Sequence, residues 1–266
     1  MTTPPASTPE AWEAAAIEAT QRRNEWVWQA HMARVYRDLL VRWQPEGTAV
    51  AALKTDLFEE AIGSHGLLVP VAGFAERVFG IDWAPAIVRA AVRSTQRGTA
   101  YLLTADVRAL PFAAGTFQLV LSNSSLDHFD RREDIFSALA ELGRTISSGG
   151  VLILSLDSPH NPAVRLRNVL PYRWLRRFGI VPYIMGATLT RRKARDALDL
   201  AGFTVTDETA IVHAPRLPAI WLARWVAGRS RPATWLARLL AVCERAATWP
   251  TRYRTGYYIA LRAVRR

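Results

Sequence analysis

From residue 49 to residue 157 the chain alternates short apolar runs with helical patterns, and each apolar run ends in a polar cluster. The runs are 49–53, 77–81, 100–104, 117–121 and 151–156. The clusters that close them are Lys54-Thr55-Asp56, Asp82-Trp83, Asp106-Val107, Ser122-Asn123-Ser124 and Asp157-Ser158-Pro159-His160. Apolar residues at helical spacing fill 57–62, 85–94 and 132–146. Strands that alternate with helices form a parallel sheet, and right-handed crossovers bring the strand ends to one edge. Open sheets of this kind bind ligands in the crevice beyond those ends.

The rest of the chain frames that unit. Residues 1–10 are rich in Thr and Pro, lack an apolar core of signal-peptide type and are expected to be a disordered tip. Residues 11–45 carry Trp, Leu, Met and Tyr at mostly helical spacings and are expected to form a helical cap. After Asp157 comes an irregular basic stretch, 158–190, with four prolines. A helix at 191–201 ends at Gly202, and strands follow at 203–212 and 257–264. Residues 213–254 read as two helices inserted before the last strand. Domain organisation is therefore expected as 1–10, 11–45 and a main unit 46–266 that carries both insertions.

Composition narrows the function classes. A single cysteine, Cys243, excludes an internal disulfide and a cysteine zinc cage, and the five histidines show no ligand spacing. No run of eighteen apolar residues is present, so no transmembrane helix is expected, and the lone cysteine suits a reducing compartment; the expectation is a cytoplasmic protein. Residues 1–159 hold 14 basic and 18 acidic side chains, whereas residues 160–266 hold 20 and 5. A basic half suits an anionic partner, whether a phosphorylated substrate, an acidic lipid surface or nucleic acid, and equally suits plain solubility.

Asp82 closes a strand and precedes Trp83-Ala84-Pro85, a helix start. Its carboxylate can cap that helix or accept hydrogen bonds from a ligand's paired hydroxyls, and the two roles are compatible. Asp106 stands at the next strand end, before Leu110-Pro111-Phe112.

The succession Gly80-Ile81-Asp82, Ala105-Asp106-Val107-Arg108-Ala109-Leu110-Pro111-Phe112, the run Thr116–Phe129 and Gly149-Gly150-Val151-Leu152-Ile153-Leu154-Ser155 resembles class I S-adenosylmethionine-dependent methyltransferases. The likeness covers about 45–160 and resumes at 203–212 and 257–264. It implies an α/β fold: a Rossmann-like, seven-stranded, mostly parallel sheet with an antiparallel last strand. It also implies adenosylmethionine at the strand ends. Asp82 would hold the ribose, with Trp83 beside it. Asp106 and Val107 would hold the adenine, and Asn123 would lie near the methionyl part.

The first motif departs from the family, which places a glycine-rich loop after its first strand so that backbone can approach the cofactor. Here Lys54-Thr55-Asp56-Leu57-Phe58-Glu59 stands in its place, and no glycine occurs before Gly63. Asp56 and Glu59 have capping-box spacing. Thr55, Asp56 and the backbone at that helix start are assigned to the cofactor, and Lys54 is expected to pair with its carboxylate. A degenerate pocket on a non-catalytic scaffold is the competing reading.

Methylation of a hydroxyl requires a proton acceptor, and His128 and His160 follow the fourth and fifth strands. Of the two, His160 is the favoured base. Ser122-Asn123-Ser124-Ser125 replaces the Asn/Asp-Pro-Pro-aromatic motif of amino-methylating nucleic-acid enzymes on this fold, so nucleic acid is disfavoured and an RNA methyltransferase is a third reading. In the second insertion, Trp235, Leu236, Leu239, Leu240, Val242 and Cys243 are assigned to one helix face, with Arg231, Arg238 and Arg245 pointing away. Such a helix packs on its own domain or lies in a membrane interface, and Tyr172, Trp174 and Phe178 in the first insertion add to the membrane case. The insertions are expected to roof the site over a small-molecule or lipid-like, anionic acceptor. O-methylation at a possible peripheral membrane surface is the functional expectation.

Overall fold

A computed structural model describes residues 25–63, 65–170 and 186–266. The expected tip at 1–10, the first part of the cap, and Tyr172, Trp174 and Phe178 lie outside the described residues.

Seven strands form one sheet in the order β3-β2-β1-β4-β5-β7-β6. They are β1 (Ala49–Lys54), β2 (Ala75–Asp82), β3 (Tyr101–Thr104), β4 (Phe117–Asn123), β5 (Ile146–Asp157), β6 (Phe203–Ile211) and β7 (Tyr258–Arg265). Pairing is parallel from β3 to β5, whereas β7 runs antiparallel to both β5 and β6. This is the expected Rossmann-like arrangement, with the sequence order reversing direction between β1 and β4.

Alternation along the strands feeds two cores. Ala52, Val78, Leu119, Leu121 and Ile153 face one way, onto α1 (Trp26–Trp43), α4 (Pro85–Ser94), α8 (Arg216–Val226) and α9 (Ser230–Cys243). Leu53, Val120, Leu152 and Leu154 face the other way, onto α5 (Arg132–Thr145) and α7 (Arg191–Leu200). Four short helices complete the described set: α2 (Phe58–Ile62), α3 (Leu68–Ala72), α6 (Pro162–Val169) and α10 (Arg252–Thr255).

Three segments differ from expectation. Strand β5 begins at Ile146 rather than at residue 151, because Ile146 pairs with Phe117 before the ladder resumes at Leu119 and Val151. The intervening Ser147–Gly150 bulges, helped by Gly149 at φ +78°. Helix α6 lies inside the stretch expected to be irregular. Asn161 Oδ1 accepts from the Ala163 and Val164 N–H groups at 2.9 and 3.3 Å, and Pro162 occupies the first turn, where a missing N–H costs nothing. Helix α3 carries Pro70 and packs Leu68 and Val71 into the first core.

Candidate active site

The ends of β1, β2, β3 and β4 open into one cavity of about 490 Å³, within the usual range of small-molecule sites. Asp82 and Asp106 both line it, as do Thr55, Asp56, Trp83, Val107 and Asn123. The two carboxylates therefore share a pocket.

Asp82 leaves the end of β2 half-buried. Its Oδ2 accepts from Leu57 N–H at 3.1 Å and its Oδ1 from Ala84 N–H at 2.9 Å. It thus ties the glycine-poor loop to the start of α4, and lone pairs remain on both oxygens for ligand hydroxyls. Burial pushes its pKa up to about 6, against the opposing effect of those two amides. Hydroxyl donors from a ligand would favour the charged form.

Asp106 is held differently. Arg108 Nη2 lies 2.7 Å from Asp106 Oδ2, and Arg108 Nη1 lies 2.8 Å from Asp134 Oδ1. The same guanidinium stands 5.5 Å from the Trp83 ring centroid and 4.9 Å from that of Phe129. Trp83, Val107 and Phe129 line the cavity with Asp106, and the Arg108 guanidinium packs against both rings.

At the end of β4, Asn123 is buried, with Nδ2 donating to Glu59 Oε1 at 3.2 Å. Its Oδ1 accepts no hydrogen bond among the described residues. A buried acceptor left open beside a cavity is a place for a ligand donor. Ser124 follows with φ +50°, a left-handed conformation that costs about 1–3 kcal/mol in a non-glycine residue and clusters at functional sites.

The first strand end differs most from what the sequence suggests. Lys54 is fully buried and does not line the cavity. Its Nζ donates to Glu59 Oε2 and Glu60 Oε2, each at 3.0 Å, and to the Asp56 carbonyl. A buried ammonium must be paired, and these partners leave it no reach toward a ligand carboxylate. The reciprocal capping box is also absent: Asp56 Oδ1 accepts from Phe58 N–H at 2.6 Å, but Glu59 turns to Lys54 and Asn123. Glu59 and Phe58 face the cavity instead. Burial, reinforced by the Glu59 charge, pushes the Asp56 carboxyl well above its ordinary range. Thr55 Oγ1 donates to Ser122 Oγ at 3.0 Å.

The two histidines separate. His128 lines the cavity, and burial lowers its pKa to about 4, which keeps the ring neutral at pH 7. His160 is exposed in the turn after β5 and does not line the cavity. Behind His128, Asp127 Oδ2 accepts from Asp157 N–H at 2.8 Å, and Arg167 Nη2 lies 2.7 Å from Asp157 Oδ2. Burial, with the Asp157 charge, raises the Asp127 pKa to about 8.

The opposite wall is built from α1, which sequence reasoning did not place here, and from α8 of the 213–254 insertion, which it expected over the site. Trp28, Met32 and Tyr36 of α1 face the strand tips, and Arg216, Leu217, Trp221 and Arg224 of α8 join them. His65 and Tyr258 also line the cavity. Tyr36 donates to or accepts from Ser155 Oγ at 2.8 Å, fixing α1 to β5, and Arg224 Nε donates to Glu25 Oε1 at 2.9 Å, joining α8 to the start of α1. The periodic apolar residues of α1 signalled a packed helix, but nothing in the sequence placed it over the strand ends. Among the described residues no group of His, Cys, Asp or Glu is arranged to hold a metal ion.

Residues 61–154 match a family described as a methyltransferase domain. No curated protein sequence matches the chain. Among solved structures, the chain is similar to one in the complex of the Haloferax volcanii Trm112 methyltransferase activator with its methyltransferase. The identity there is 18%, the match covers 94% of this chain and 97% of that one, and the TM-score is 0.61. It is also similar to the geranyl diphosphate C-methyltransferase of Streptomyces coelicolor, at 16% identity, 87% and 78% coverage and TM-score 0.53. A third similar structure is the N-methyltransferase NodS of Bradyrhizobium japonicum, at 14% identity, 87% and 86% coverage and TM-score 0.51. The sheet order, the antiparallel seventh strand and these likenesses define the class I S-adenosylmethionine-dependent methyltransferase fold.

Proposed function

We propose that this chain binds S-adenosylmethionine and methylates an oxygen of a small or lipid-like acceptor with an apolar body and a negative charge. The observation that carries the reading is the convergence on one cavity of Asp82, Asp106 and Asn123 Oδ1, which has no hydrogen-bond partner among the described residues. Asp82 would hold the ribose hydroxyls, Asp106 and Val107 the adenine edge, and Asn123 with Glu59 the ammonium of the methionyl arm. Two solved neighbours contain S-adenosylhomocysteine, which supports the cofactor. When bound, the cofactor supplies a methyl group on a cationic sulfur.

The chain's own contribution is alignment and exclusion of water, which together can be worth about 7–11 kcal/mol. Trp28, Met32 and Trp221 offer an apolar wall, and Arg216 brings positive charge to it, whereas Arg224 is paired with Glu25 of the same wall. Geranyl diphosphate, present in the Streptomyces neighbour, combines the same two properties. His128 is the proposed proton acceptor, since it faces the cavity and is already neutral at pH 7. Its low basicity makes it a modest base, so alignment carries most of the rate. His160 has no part in this reading.

A non-catalytic scaffold is the rival, favoured by Phe58 and Glu59 standing where the family has glycine. Isothermal titration with S-adenosylhomocysteine separates the two. One-site binding in the micromolar range is expected, and no heat at high micromolar ligand, with the protein shown to be folded, would favour the scaffold.

A further inference from the structure

From Val212 to Gly256 the chain contains eight arginines and one acidic residue, Glu244. That one carboxylate is turned inward. Glu244 Oε1 lies 3.1 Å from His31 Nε2 and accepts from His213 N–H at 2.9 Å, while Oε2 accepts from Val212 N–H at 3.2 Å. Among the described residues, the outer surface of α8 and α9 therefore carries positive charge with almost no local opposition. Arg224 is held by Glu25, and Arg216 reaches Tyr258 Oη at 3.5 Å.

The same surface exposes large apolar side chains. Trp221, Trp225 and Trp235 are 65%, 55% and 61% exposed, and Leu239, Val242 and Trp249 are exposed with them. On α9 the buried side is Ala233, Leu236 and Leu240. Trp235, Leu239 and Val242 lie opposite, at spacings of four and three, which places them on the same face as Arg231 and Arg238. This corrects the expectation that tryptophan and leucine share one face and arginine another. On α8, Leu217, Trp221 and Trp225 follow at intervals of four, and the Arg229 guanidinium stands 4.9 Å from the Trp225 ring centroid.

From this mixture we infer that the α8–α9 face docks the protein on an anionic lipid bilayer, with the cavity mouth turned toward the lipid. Its purpose rests on the acceptor reading above, and its geometry does not. Tryptophan prefers the bilayer interface, where its ring lies among acyl chains and its N–H among headgroups. Arginine at the same depth meets lipid phosphates. Leu239 and Val242 gain nothing against a nucleic-acid backbone but gain by entering the acyl boundary. A second copy is disfavoured because two such faces would set like charges against each other. The mode is peripheral, since no described helix is long and apolar enough to cross a membrane. The face is continuous with the site: Leu217, Trp221 and Arg224 line the cavity and belong to the exposed helix. An amphiphile could pass from bilayer to strand tips without crossing water.

Sedimentation of the full chain with phosphatidylcholine vesicles, with and without thirty per cent phosphatidylglycerol, tests the inference. Binding to the anionic vesicles only is expected, with a blue shift of tryptophan emission and loss of binding at high salt. The triple variant W225A/W235A/W249A should partition at least tenfold more weakly, with its thermal midpoint and S-adenosylhomocysteine affinity unchanged. Should it fail to fold, quenching of wild-type tryptophan by brominated lipid answers the same question. Equal binding to both vesicles, full retention by the triple variant, absence of quenching, tighter RNA binding that displaces vesicles, or a dimer that buries these tryptophans would each overturn the inference. Vesicle binding without any S-adenosylhomocysteine binding would uphold the docking face and sink the methyltransferase reading.

Discussion

The floor and the roof of the cavity are made of opposite chemistry. The floor is a row of strand tips carrying Asp56, Asp82, Asp106, Asn123 and Glu59, fastened by short hydrogen bonds to backbone and to one another. The roof is α1 and α8, with tryptophan, methionine and arginine, held down by a few long-range bonds such as Tyr36 to Ser155 and Arg224 to Glu25. An acidic floor suits the cationic arm of the proposed cofactor, and a basic, aromatic roof suits an anionic, apolar acceptor. The sign of the charge, more than the shape of the space, would divide the cavity between the two proposed ligands.

Substitutions can break that division at several levels. Lys54→Met should have the largest effect: it leaves the buried Glu60 carboxylate without its cation, at a cost of about 3–5 kcal/mol in stability. Denaturant unfolding would read it, and a variant as stable as wild type would return Lys54 to the list of possible ligand contacts. Asp82→Ala should weaken S-adenosylhomocysteine binding by more than about tenfold, because charge-assisted bonds are lost. Unchanged affinity would remove the ribose role.

The third effect concerns pH. Asp127 has a folded pKa near 8 against an ordinary 3.8, so it favours the folded state while protonated, and that contribution is lost as pH rises toward 8. The thermal midpoint of wild type should therefore fall, between pH 4 and 8, relative to Asp127→Asn, which keeps an oxygen for the Asp157 amide. Parallel curves would show that Asp127 is not protonated. Smallest is the pair Arg238→Gln and Arg245→Gln on the outer roof. Stability should change by less than about 0.5 kcal/mol, since both side chains are exposed and removed from the floor. A large loss would mean that the roof arginines hold the fold together.

The floor was legible in the sequence for a local reason. Asp82, Asp106 and Asn123 each end an apolar run, and in a parallel sheet the end of a run is a position in space. The α1 part of the roof was not legible, because Tyr36 and Ser155, or Glu25 and Arg224, are brought together by packing that no short pattern encodes, whereas the 213–254 insertion was expected over the site. Lys54 was misread because a lysine at a strand end has the same sequence signature whether it faces a ligand or an internal carboxylate. Its partners Glu59 and Glu60, one turn later, were the available clue. Helix α6 was missed because four prolines suggested disorder of pattern, although Asn161-Pro162 is itself a helix start. On α9, Trp235 sits next to Leu236 in sequence and a hundred degrees from it in space, and only burial decides which of them faces inward.

The central claim is that neighbouring strand tips grip one nucleoside. A crystal structure of the chain soaked with S-adenosylhomocysteine tests it most directly. It should show Asp82 within hydrogen-bond distance of both ribose hydroxyls, the adenine beside Asp106 and Val107, and the sulfur facing the α1–α8 wall near His128. A nucleoside bound elsewhere, or a cavity left closed by Phe58 and Glu59 at saturating ligand, would contradict it.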